Sequence, residues 1–217
     1  MPSKFLEVLL QPFRRYLPGS VVYLLACGSI IRNEDSFSLL HQAVRRYGSC
    51  CRVSRLLTSF SFKLKHMLAF DAPRLVTSNT TGLLTKLTRN VVVHHIEFVT
   101  ALEHLLRDET ELGMHTGLVH ITPDAAMRYI WTHRQTQPWG KYIPVQCPEC
   151  FVVQQWATVW LDSSTYSFEC INDMCGWKGK KKVAERYQFL AERPEGVELL
   201  HMKKVTGASW MKLPFSA

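Results

Sequence analysis

The chain has little that would take it into a membrane. Its longest apolar run near the start, Val21-Val-Tyr-Leu-Leu-Ala-Cys27, is of strand length, far short of the ~18 residues of a membrane span. A secretory signal is missing too, because Glu7 and Arg14-Arg15 break up the first apolar residues. Neither G-x-G-x-x-G nor a Walker pattern occurs, no serine sits in a nucleophile elbow, and no His-Glu-x-x-His is present. These absences argue against a membrane partner, a phosphate-loop enzyme, a zincin-type hydrolase and a serine hydrolase. The seven cysteines are odd in number. Without a signal peptide, that count points to a reducing compartment, cytoplasmic or nuclear, rather than to secretion.

What is present is a globular composition, 47% hydrophobic over 217 residues, enough for one ordinary domain and a small one. The net charge is +8, and its location matters more than its size. Residues 1–66 carry a balance of +7, residues 67–140 of −1 and residues 141–217 of +2. The stretch Arg45–Lys65 alone holds six basic residues and no acid.

The strongest pattern is Cys147-Pro-Glu-Cys150 followed, after nineteen residues, by Cys170-Ile-Asn-Asp-Met-Cys175. Each pair can set two thiolates on one tight turn, and two such turns face to face make a tetrahedral sulfur cage for zinc. Iron also accepts four thiolates and is the alternative occupant. Between the pairs, Trp156–Leu161 and Thr165–Glu169 are rich in strand formers, with turn chemistry at Asp162-Ser163-Ser164. Turn, hairpin and turn make a zinc ribbon, with Cys147, Cys150, Cys170 and Cys175 as ligands to one structural zinc. Four protein ligands leave the metal no open position, so it holds a fold and performs no chemistry. The ribbon's aromatics Trp156, Trp160, Tyr166, Phe168 and Trp177 divide between core and contact surface.

Upstream, the pattern is α/β. A helix is expected before Pro18-Gly19, with Phe5, Val8 and Leu9 on one face. Val21–Ala26, Met67–Phe70 and Leu118–Ile121 read as short buried strands. Helices are expected from Phe37 to about Tyr47, capped by Asp35 or Ser36, from Thr77 to about Val93, and from Glu97 to Arg107. This order favours parallel strands with helices on the faces. Residues 49–66 break the pattern and read as a basic insertion or a gene-model artefact. The expected organisation is a partial α/β region over 1–121, a linker over 122–146, the ribbon over 147–190 with a third strand at Val183–Leu190, and a tail over 191–217. Trp210 and Phe215 in that tail are expected to dock on the rest.

Cys27 closes the first strand ahead of Gly28-Ser29, where parallel sheets place nucleophiles and ligands. The run Leu24-Leu-Ala-Cys-Gly-Ser29, a helix, Leu68-Ala-Phe-Asp-Ala-Pro73 and a helix pair with Ala101-Leu102 resembles the second half of a CHAT-type domain. That is the caspase-like, clan CD cysteine-peptidase fold. The chain is also similar to a set of uncharacterised fungal proteins that join such a region to a C-terminal Cys-rich ribbon. The resemblance covers about residues 20–121. It implies a partial caspase-like parallel-sheet layer, an incomplete half domain, followed by a small β zinc ribbon, with Cys27 at the nucleophile position. The family's catalytic histidine lies upstream of the nucleophile, and no histidine precedes Cys27 here. His94, His95, His104, His115 and His120 show no ligand spacing and read as surface or satisfied residues.

Two functions are compatible with these features. The first is a non-catalytic zinc-binding interaction protein, its ribbon contacting a partner from a degenerate CHAT-like platform. The near-neutral ribbon points to a protein partner, while Lys178 and Lys180–Lys182 keep nucleic acid open. The alternative is a CHAT or caspase-like cysteine peptidase using Cys27, its histidine half missing from this chain. A half sheet with unpaired edges would tend to associate.

Overall fold

The computed structural model describes residues 8–25, 28–44, 63–153, 156–160, 162 and 164–215. Helices pack on both faces of a six-stranded sheet. Its strands are β1 (Val21–Leu24), β2 (His66–Phe70), β3 (Leu118–Ile121), β4 (Ala126–His133), β11 (Ala208–Pro214) and β10 (Glu198–His201), in that spatial order. The strand period of two divides β2 between the layers. Leu68 and Phe70 face α3 (Ser78–Val92), α4 (Phe98–Leu106) and α5 (Thr110–His115), while Met67 and Ala69 face α2 (Glu34–Val44). A short α1 (Ser29–Arg32) precedes α2.

Side-chain capping sets two helix starts. Asn33 Oδ1 accepts from the Ser36 amide at 2.9 Å, so α2 begins at Glu34, earlier than expected. Glu97 accepts from the Val99 and Thr100 amides at 2.9 and 2.8 Å and starts α4. The α4 stripe Phe98, Ala101, Leu102 and Leu105 is buried, as its spacing implied. At Gly113 in α5 an added Cβ would lie 2.5 Å from the Trp131 ring, so only glycine lets α5 lie this close to β4.

The expected parallel layer is realised at one pair. β1 and β2 run parallel; β2–β3, β3–β4, β4–β11 and β11–β10 are all antiparallel. The reason lies in the connections. The segment with α1 and α2 crosses back to the end of the sheet where β1 began, whereas the segment with α3, α4 and α5 re-enters the sheet at the end where β2 left it. The β3–β4 link is too short for any crossover.

The expected linker and tail are also corrected. Residues 122–146 contain β4, and residues 191–217 contain β10 and β11. β11 lies between β4 and β10 and pairs Trp210 with Trp131, and Trp210 is fully buried. Phe215 then meets Phe37 edge-on at 4.6 Å. The basic stretch 49–66 lies outside the described residues up to 62. Its last part belongs to the sheet layer, with Leu64 fully buried and His66 opening β2.

The cysteine-rich segment is therefore spliced between β4 and β10. It forms a three-stranded antiparallel sheet of β5 (Trp156–Trp160), β6 (Thr165–Cys170) and β9 (Gln188–Glu192). The third strand falls at 188–192 instead of Val183–Leu190, because Val183 and Ala184 donate to the Gly176 carbonyl at 2.8 and 3.1 Å. Asp162 Oδ1 makes the β5–β6 turn by accepting from the Ser164 and Thr165 amides at 2.6 and 2.8 Å. Trp139, Ala191, Val197 and Met211 form the buried contact that seats this sheet on the larger one.

Candidate metal centre

The first cysteine turn is built by its own backbone. The Cys147 amide donates to the Val152 carbonyl at 3.0 Å, and the Phe151 amide to the Cys147 carbonyl at 2.8 Å. Pro148 presets one dihedral of that turn. Phe151 then takes φ +59°, a left-handed conformation that side chains disfavour. The second turn follows the end of β6. Asn172 Oδ1 accepts from the Met174 amide at 3.1 Å, and the Cys175 amide donates to the Asn172 carbonyl at 2.9 Å. Gly176 closes it at φ +81°, where a Cβ would lie 2.4 Å from the Ala184 carbonyl oxygen. Both turns thus end on a left-handed residue directly after their second cysteine.

The four sulfurs converge. Cys147, Cys150, Cys170 and Cys175 have Sγ atoms all within 4.8 Å of one another, with Cys147–Cys175 at 3.7 Å and Cys150–Cys170 at 3.6 Å. Tetrahedral zinc with bonds of ~2.3 Å requires sulfurs about 3.8 Å apart. Cys147, Cys170 and Cys175 are buried, and Cys150 is partly so. Trp156 and Tyr187 wall the site, their rings edge to face at 5.8 Å. The Tyr187 amide points at Cys175 Sγ from 3.4 Å, and the Cys170 amide donates to the Tyr187 carbonyl at 3.0 Å.

The thiols are electrostatically unequal. Burial pushes Cys170 up to about 12 and raises Cys175 as well. Burial also opposes ionisation of Cys150, but the Val152 amide and the Asn172 side chain, with Cys170 and Cys147, outweigh it and bring that thiol to about 7. Cys150 therefore loses its proton more readily than Cys170 or Cys175. Four thiolates at this spacing repel one another unless a cation sits among them, so metal capture and loss of the remaining protons are one event. The residues fit a four-thiolate metal ion.

Among the described residues, no other group of three or more potential ligands converges in this way. Cys27, Cys50 and Cys51 lie outside the described residues. His94, His95, His104 and His115 are exposed. His120 is not: its Nε2 lies 3.0 Å from His66 Nδ1, both rings buried against Phe98. Helical spacing rules could not reveal this pair, which forms diagonally across β2 and β3, where His120 stands opposite Leu68. The left-handed Phe151 was also hidden, because that conformation is signalled by glycine and here glycine is absent.

No protein-family model, no curated protein and no solved structure matches this chain.

Proposed function

We propose that this chain is a non-catalytic zinc-binding interaction protein, in which a structural zinc ribbon presents contact surface from an α/β platform. One observation carries the reading. Four cysteine sulfurs from two turns 19 residues apart in sequence lie within 4.8 Å of each other, with two pairs close to the tetrahedral zinc–thiolate spacing. The all-thiolate donor set favours zinc over calcium or magnesium, which take oxygen ligands. With four protein ligands the ion has no vacancy for substrate or water, so its work is to fix the turns and what they display.

What they display supports the interaction role. Phe151, Ile171, Met174 and Trp177 are large apolar side chains left exposed around the cysteine turns. Large apolar side chains left in water at these turns are available as contact surface to a partner. The platform is read as a degenerate CHAT-type half domain, supported by the β1–α2–β2 unit with its parallel strand pair.

The test is elemental analysis of the purified full chain. One zinc per chain is expected, falling to none in Cys147→Ser and Cys175→Ser. Iron in equal amount, or metal retained by both variants, overturns the zinc assignment.

A further inference from the structure

Between Asp173 and Glu185 the chain carries Lys178, Lys180, Lys181 and Lys182 and no acid. These residues are folded into a miniature hairpin. β7 (Trp177–Lys178) pairs antiparallel with β8 (Lys181–Lys182), matching Trp177 with Lys182 and Lys178 with Lys181. Gly179, at φ +63°, and Lys180 make the two-residue turn. All four lysines are exposed, and none has an ion-pair partner among the described residues. Of the two flanking acids, Asp173 is already held by Arg186 at 2.8 Å, and Glu185 stands three residues beyond Lys182. The near-neutral total of residues 141–217 thus conceals a locally cationic tip.

Trp177 is 42% exposed on this tip. Directly opposed residues in an antiparallel pair share a face. Trp177 therefore lies beside Lys182, with Lys178 and Lys181 on the other face and Lys180 at the end. An aromatic platform flanked by Lys182, with further cations at the hairpin's end and on its other face, matches a polyanion that also carries flat rings. We infer that the β7–β8 hairpin binds single-stranded nucleic acid, with a base stacked on Trp177 and neighbouring phosphates held by Lys178, Lys180, Lys181 and Lys182. Stacking on an exposed indole needs an unpaired base, which selects a single strand over a duplex. An acidic peptide would satisfy the lysines but would leave the indole without its partner.

The metal centre positions this hairpin. Gly176, the residue between ligand Cys175 and Trp177, accepts from the Val183 and Ala184 amides at the far side of the hairpin. Trp177 in turn donates its amide to the Met174 carbonyl at 3.2 Å. The inference rests on the zinc reading in this one respect, so affinity and metal content are measured separately.

The experiment is fluorescence anisotropy of the full chain with a labelled single-stranded oligonucleotide, across a salt series. Affinity is expected to fall with salt at a log–log slope of about −3, from four phosphate contacts at ~0.7 each. Trp177→Ala is expected to weaken binding about fivefold to a hundredfold, with Trp177→Phe recovering part of it. Replacing all four lysines by glutamine is expected to abolish the slope, and replacing all four by arginine to preserve it. Zinc per chain stays unchanged throughout, since these side chains are exposed. Binding that survives in the glutamine variant overturns the proposal and assigns the affinity to the basic stretch Arg45–Lys65. Failure of the wild type to bind at low salt overturns it, as does equal Trp177-independent affinity for a labelled polyglutamate or a duplex. Absence of zinc from the wild type would strike the metal reading instead.

Discussion

His66 Nδ1 lies 3.0 Å from His120 Nε2, between strands β2 and β3, and each ring packs on Phe98. One proton suffices for that bond; a second would place a positive charge in an apolar layer. Burial accordingly lowers His120 to about 4, with the neighbouring His66 adding to the effect, and burial lowers His66 too. The unfolded chain takes up these protons near pH 6.5, before the folded chain does. Stability is therefore complete above about pH 6.5 and is lost as pH falls toward 4. For His120 alone the loss is of the order of 3 kcal/mol. Thermal unfolding of wild type and His120→Leu across this range checks it. The difference between their melting temperatures should change in favour of the variant at the acid end; parallel acid limbs would refute the assignment. Because both proteins keep the cysteine centre, acid release of metal cancels in that difference.

The left-handed residues that close the two cysteine turns predict opposite responses to substitution. Gly176→Ala forces a side chain against the Ala184 carbonyl and into a disfavoured dihedral, costing about 2 kcal/mol or more. Phe151→Gly relieves the same dihedral where the side chain is 71% exposed, so little burial is lost and a gain of up to about 1 kcal/mol is expected. Chelator titration of metal release should become easier in the first variant and harder in the second. Equal shifts in both would show that the turn dihedrals do not limit metal retention.

Asp71 is buried at the end of β2 between two arginines. Arg32 Nε donates to it at 2.8 Å, and Arg128 Nη2 donates to its other oxygen. Its side chain is 3% exposed. Asp71→Asn leaves the two cations without their counter-charge and should destabilise the fold by about 3 kcal/mol. Denaturant unfolding measures the loss, and metal content should not change. Adding Arg128→Met to Asp71→Asn should recover part of it; a double variant no better than the single would show that Arg128 is not the partner that matters.

Metal removal should loosen one sheet and spare the other. Among the described residues, the core around Leu68, Phe70, Leu102 and Trp210 shares no member with the cluster that surrounds the cysteines. Limited proteolysis after chelation is expected to cut within about residues 147–187 while β1–β4, β10 and β11 persist as an associated core. Cleavage spread evenly along the chain would mean that the two sheets unfold as one unit.

Local chemistry in the sequence was readable, and returns over long distances were not. The cysteine spacing, the Asp162 turn and the periodic face of α4 each depend on neighbours a few residues away, and each is found as expected. Strand direction depends on which end of the sheet the chain re-enters after its helices, and the periodic patterns of α3 and α4 do not carry that information. β4 and β11 are eight and seven residues long, but they pair with each other across about 80 residues of sequence, as with Trp131 and Trp210. Nothing in their own residues distinguishes such a strand from a linker or a tail. His66 and His120 were hidden for the same reason, being neighbours only after β2 and β3 register.

The ribbon leaves the large sheet from β4 and re-enters it at β10, with Trp139 wedged at the junction. A module hung on one flexible leash samples every orientation, whereas one held by two stalks and a wedge behaves as a fixed bracket. Anything seized at its outer tip is thereby presented at a constant angle and distance from the platform, as a tool is held in a vice.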